Sequence, residues 1–152
     1  MRQSNIAGGV VIMITWVEIF FQDYAEAFRV KSSSSLLAKF CLPLTFFTKS
    51  GPVVLHDEAH LAANLAALMR RYEQIGAVAW HYTVKDVRAI GSGIHLVELE
   101  WRFCNADNEL LYACDTSYVL AGEAQAGAKV MGVIAHNEND EYQKALDRRR
   151  GA

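Results

Sequence analysis

The hydrophobic period of this 152-residue chain changes near its midpoint. Before Gly76 apolar residues recur at every third or fourth position, and after it they tend to alternate. Spacings of three and four line one stripe of an α-helix, whereas a spacing of two lines one face of a β-strand. Helices placed ahead of strands, instead of alternating with them, exclude a doubly wound parallel sheet and point to the α+β class.

In the helical half, Thr15-Trp16-Val17-Glu18 has the Thr-x-x-Glu form of a capping box, which predicts a helix start. Val17, Phe20, Phe21, Tyr24 and Phe28 then fall on one stripe, with Glu18, Gln22, Asp23, Glu26 and Arg29 on the other side. The serine run 32–35 breaks that pattern and can cap a short second helix over 36–40. Residues 42–48, with Pro43 near the start and Thr45-Phe46-Phe47 behind it, suit an edge strand ending at a Lys-Ser-Gly-Pro turn. From Asp57 onward, Leu61, Leu65, Leu68, Tyr72 and Ile75 predict a long amphipathic helix closed by Gly76.

His56-Asp57-Glu58-Ala59-His60 has the outline of a zinc-hydrolase helix, but the pattern argues for a helix terminus instead. Asp57 is a good N-cap, which leaves His56 outside the helix and off the face of His60. The second position also holds Asp where the metalloprotease pattern has Glu, and no third ligand stands at a suitable spacing. No metal site and no cofactor are expected.

The second half reads as strands at about 77–89, 94–104, 109–121 and 128–136, separated by Gly91-Ser92-Gly93, Asn105-Ala106-Asp107-Asn108 and Gly122-Glu123. Short turns between consecutive strands imply an antiparallel meander in which 94–104 pairs with 109–121. The chain is long enough for one core and too short for two, so residues 1–152 are expected to form a single domain. Residues 1–14 are expected as an N-terminal extension, with the natural start at Met1 or Met13, and 139–152 as a C-terminal tail.

Charge narrows the partners. Fifteen basic and seventeen acidic residues are mostly interspersed, so no broad field is available for nucleic acid or an anionic membrane. Arg148-Arg149-Arg150 is the only basic run and reads as part of a solvated tail. Cys41, Cys104 and Cys114 are odd in number and lack CxxC spacing, which suits a reducing cytoplasm better than a disulfide framework. The apolar residues 6–14 lack a cleavage pattern and are fewer than the ~20 a membrane span requires.

The order helix, short helix, strand with an early proline, long helix and four meandering strands resembles the NTF2-like superfamily. The SnoaL-like and ketosteroid-isomerase-like members are the most similar, over residues 15–138. Phe20-Phe21-Gln22-Asp23-Tyr24-Ala25-Glu26-Ala27-Phe28, Leu42-Pro43-Leu44-Thr45-Phe46-Phe47 and Thr116-Ser117-Tyr118-Val119-Leu120 carry the resemblance best. It implies a cone in which N-terminal helices pack on a strongly curved, mainly antiparallel sheet around an apolar cavity. It also implies a homodimer formed through the outer face of the sheet.

Ketosteroid isomerases use a general-base aspartate, with a tyrosine and a protonated aspartic acid as the oxyanion hole. Their tyrosine matches Tyr24, but the base position falls on Thr48, which cannot take a carbon-bound proton near neutral pH. The second acid falls on Thr116 with Asp115 one residue away, and a shift of one would turn either inward. Leu99, Trp101 and Phe103 share the apolar face of their strand, opposed to Glu98, Glu100 and Arg102. Phe46, Tyr24 and Phe28 would close the other side. On that fold His136 would border the cavity mouth, while His81 shares a face with Thr83 and Lys85.

The expected ligand-binding set is therefore Tyr24, Phe28, Phe46, Thr48, Leu99, Trp101, Phe103, Thr116 and His136. Catalytic candidates are Tyr24, Asp115 and His136. The leading functional expectation is a pocket protein for a small hydrophobic molecule, either a binder or a SnoaL-like enzyme. The alternatives are a non-catalytic dimeric interaction module, and an isomerase, cyclase or dehydratase using Tyr24 with His136 or Asp115.

Overall fold

The computed structural model describes residues 2–151, with side chains from residue 15 onward. Four helices and six strands follow in the order α1 (Arg2–Arg29), α2 (Ser33–Leu37), β1 (Phe40–Thr48), β2 (Gly51–Leu55), α3 (Glu58–Ile75), β3 (Ala79–Gly91), β4 (Ile94–Cys104), β5 (Leu110–Ala121), β6 (Lys129–Ala135) and α4 (Glu138–Gly151). The strands form one sheet in the order β2-β1-β6-β5-β4-β3. The β1–β6 pairing is parallel and the other four are antiparallel, so the helices pack on a curved, mostly antiparallel sheet of the α+β class.

Local chemistry sets the helix ends. The Asp57 carboxylate caps α3 by accepting the His60 backbone N–H at 2.9 Å, and His60 Nδ1 lies 2.9 Å from the same oxygen. His56 is exposed and precedes the helix. At the other end Gly76 adopts φ 82°, and a Cβ built there would come within 3.1 Å of Arg149 Nη1. A side chain at that position would be strained and would crowd Arg149, which donates to the Gln74 carbonyl at 3.0 Å. Ser32 caps α2 through the Ser35 amide. The start expected at Thr15 differs: α1 begins at Arg2 and runs through Thr15, in a stretch that no proline interrupts.

Two further differences concern strands and the C-terminus. The Gly51-Pro52 break opens a short strand, β2, which pairs with β1 from Leu44↔Leu55 to Thr48↔Gly51. β2 therefore takes the edge, where the missing N–H of Pro52 is tolerated. Pro43 of β1 falls where the register with β6 shifts, between Phe40 and Thr45. Of the segment 139–152 expected as a tail, residues 139–151 instead supply most of α4. Glu138, Asp140 and Glu141 in its first turn and Arg148 to Arg150 in its last complement the helix dipole, while Tyr142 and Ala145 are buried.

Along β4, His95, Val97, Leu99, Trp101 and Phe103 are buried, and on β5 so are Tyr112, Cys114, Thr116, Tyr118 and Leu120. The β4–β5 register runs from Ile94↔Ala121 to Cys104↔Leu110, setting Leu99 opposite Thr116 and Trp101 opposite Cys114. These two columns face the helices. The outer face divides in two. Lys85 meets Asp115 at 3.3 Å and Glu98 at 3.6 Å there, and Arg102 meets Glu100 at 2.9 Å. Towards β1 and β2 the same face turns apolar, with Phe47 nearly half exposed beside Ile134 and Pro52. Among the described residues no helix is long and apolar enough to cross a membrane.

Tyr142 anchors α4 with its hydroxyl on the Arg71 carbonyl at 3.0 Å and its ring under the Arg71 guanidinium. Replacing it with alanine leaves a cavity and an unmatched carbonyl, so Tyr142→Ala is expected to cost about 3 kcal/mol in urea unfolding and to reduce helical circular dichroism. A solvated tail would show neither change.

Candidate functional site

The inner columns of β4 and β5, the stripe of α1 and the face of α3 enclose a chamber of about 60 Å³. Nine of its fifteen lining side chains are aromatic: Tyr24, Phe28, Phe40, Phe46, Tyr72, Trp80, Trp101, Phe103 and Tyr118. The rings pack largely on one another, which is why the space admits only a few heavy atoms. Tyr24 lies 5.9 Å from Trp101 and 6.1 Å from Tyr118, while Phe28 stacks on Trp80 at 6.4 Å. Asn64 and Leu68 of α3, Thr116 and Val133 also reach it, and Glu138 supplies the only carboxylate. Among the described residues no lysine, arginine or histidine lines the chamber.

Two hydrogen-bonded groups give it polarity. The Trp101 indole N–H donates to the Tyr118 hydroxyl at 2.8 Å in a fully buried bond. An indole is a donor only, so the Tyr118 oxygen is occupied as acceptor and its own proton is turned elsewhere. Burial pushes the Tyr24 phenol strongly upward, and the neighbouring Tyr118 hydroxyl pulls the other way. The Trp80 indole nitrogen, also buried, has no hydrogen-bond partner.

The second group surrounds Glu138, the half-buried first residue of α4. Its carboxylate accepts from the Tyr72 and Tyr112 hydroxyls, both at 3.4 Å. Burial holds its pKa above the ordinary glutamate value; Arg71 acts through space, and with the two phenols it pulls the other way. The negative charge in turn adds to the upward shifts of Tyr24, Tyr72, Tyr112, Tyr118 and Cys114, each driven first by burial.

The structure brings Tyr24, Phe28, Phe46, Trp101, Phe103 and Thr116 together around the chamber. It resolves the alternative on β5: Thr116 is buried and inward, and Asp115 lies on the outer face against Lys85. Leu99 is fully buried in the core beside the chamber. Thr48 and His136 stand apart from the set. The Thr48 hydroxyl donates to the Gly51 carbonyl at 2.7 Å, and exposed His136 places Nε2 2.8 Å from Ser117 Oγ. Both line a separate shallow hollow that shares Glu138 with the chamber. His81 is exposed on β3.

Residues 15–138 match the family described as NTF2-like protein (DUF6841). The chain belongs to the NTF2-like family. Among solved structures, this NTF2-like chain is similar to Aln2 from a Streptomyces species, at 13% identity and TM-score 0.63, over 87% of this chain and 95% of that one. A domain of unknown function with a cystatin-like fold from Nostoc punctiforme aligns at 18% identity and TM-score 0.58, covering 87% and 83%. A ketosteroid isomerase-like protein from Erwinia carotovora atroseptica aligns at 13% identity and TM-score 0.57, covering 79% and 92%. At such identities the likeness is one of fold. No curated protein matches the sequence.

Sequence reasoning missed Glu138, Tyr72, Trp80 and Tyr118 as site residues of this NTF2-like fold. The signal for Tyr118 was present, since it shares the inward alternation of Thr116. Glu138 had none, because Glu138-Asn139-Asp140-Glu141 is an acidic run at the start of the segment expected as a tail.

The raised pKa of Glu138 has a defined consequence for stability. Below the ordinary glutamate value of 4.5 both states hold the proton. Above it the unfolded chain releases its proton first, so the contribution of Glu138 is lost as pH rises through its folded-state value. In urea unfolding across pH 4 to 9 (about the range that spans such shifts), wild type should weaken relative to Glu138→Gln with rising pH and then run parallel. Parallel curves throughout would place the carboxylate in solvent.

Proposed function

We propose that this NTF2-like chain is a pocket protein that binds a small, mainly apolar molecule in the chamber, with Tyr24 as hydrogen-bond donor. The supporting observation is the Tyr24 side chain in the wall of an aromatic enclosure, beside the buried Trp101–Tyr118 hydrogen bond. Buried hydroxyl protons without acceptors are costly, and an occupant with an oxygen or nitrogen acceptor offsets that cost. The enclosed volume limits the occupant to a compact molecule, or to a compact group of a larger one. A hollow of about 250 Å³ that shares the Phe28, Tyr72 and Trp80 walls provides room for the remainder.

Isomerase chemistry built on His136 or Asp115 lacks geometric support, since neither side chain faces the chamber. A second reading, the dimeric interaction module, is favoured by how nearly the aromatic rings fill the cone. The two readings share one further proposal. A second copy covers the apolar part of the outer sheet face, where Phe47 lies across Gly132 beside Val119. Three free cysteines, two of them buried, suit a reducing cytoplasm.

A thermal-shift screen of small polar-tipped hydrophobes is expected to find at least one stabiliser. Tyr24→Phe should weaken its binding by about 0.5–1.5 kcal/mol while leaving unfolding nearly unchanged. A complete absence of stabilisers would favour the interaction module. Sedimentation is expected to show a dimer at micromolar concentration and a monomer for Phe47→Glu; a monomeric wild type would remove the sheet-face proposal.

A further inference from the structure

Glu138 is the carboxyl group in the chamber wall, and its hydrogen bonding leaves it poorly matched. Its two phenol donors stand at 3.4 Å, long for a charge-assisted bond. The nearest cation that influences it, Arg71, is engaged elsewhere, with its guanidinium carbon 4.3 Å from the Tyr142 ring centroid. A carboxylate drawn out of water is costly until a cation pairs with it. Asp140, two residues on in the same helix turn, is exposed and meets the dipole from solvent, so the helix terminus does not require Glu138 to point inward.

The walls favour the same sign of charge. Nine aromatic rings border the space, and the face of an aromatic ring attracts a cation, most strongly for Trp and when water is excluded. An anionic occupant would meet repulsion from Glu138, and a neutral one would leave that carboxylate without a counter-charge.

We propose that the compact group this chamber takes is a small alkylated ammonium ion, with its nitrogen beside the Glu138 carboxylate and its methyl groups against the aromatic walls. The proposal rests on the pocket reading and names the charge of its occupant. A volume of about 60 Å³ matches a compact head such as trimethylammonium, and the adjoining hollow past Phe28, Tyr72 and Trp80 would hold any longer substituent.

The test is calorimetric titration of the full chain with trimethylammonium chloride and, separately, with tert-butanol, a neutral molecule of similar shape. Trimethylammonium is expected to bind about tenfold tighter than tert-butanol, a preference that Glu138→Gln erases. Proton NMR of the wild type provides a readout independent of that variant: ring currents should move the bound methyl resonance upfield. If tert-butanol binds as tightly as the cation, the pocket reading stands and the cation proposal falls. If neither binds, both fall. A cation preference that survives in folded Glu138→Gln would also overturn Glu138 as the counter-ion.

Discussion

The joint between α1 and the inner columns of the sheet holds this molecule in its shape. Phe21 packs 4.8 Å from Tyr118 and 6.3 Å from Trp101, and Tyr24 continues the contact one turn later. Phe21 is fully buried, and a ring so placed contributes about 2 kcal/mol or more through burial. Beside that joint the Trp101–Tyr118 bond removes two polar groups from water at little cost, which allows polar side chains to stand on an inward face. The chamber is the space these rings leave where α3 and α4 close over the sheet.

The sequence carried much of this legibly because each element had a local cause. The three-and-four spacing of Leu61, Leu65, Leu68, Tyr72 and Ile75, with Asp57 before it and Gly76 after it, describes α3 as the structure has it. Alternation along residues 94–104 matched β4 at both ends. Where pairing across the sheet decides, local reading failed. β2 is five residues long and begins with Gly-Pro, so its existence depends on the partner strand β1. α4 is strongly polar, and its burial hangs on Tyr142 and Ala145 reaching neighbours that are distant in sequence.

The site divides in the same way. Residues on α1 and on the regular part of β4 and β5 could be placed by period alone, and Tyr24, Phe28, Trp101, Phe103 and Thr116 meet as that period requires. His136 was placed by its strand end and Thr48 by carrying the isomerase register forward, and in either case a shift of one residue or a bend in the chain changes the face. Glu138 follows His136 by two residues and turns inward only because Tyr72 of α3 and Tyr112 of β5 receive it. Three elements converge there, and no single stretch of sequence records that convergence.

A carboxylate held inside an aromatic enclosure needs a partner, and a crystal structure of the purified protein at high resolution tests this most directly. The expected result is ordered non-protein density bounded by Tyr24, Trp101 and Glu138, with a Glu138 oxygen within hydrogen-bond distance of it. Rings in mutual contact with no density between them, and Glu138 turned out to solvent, would contradict it.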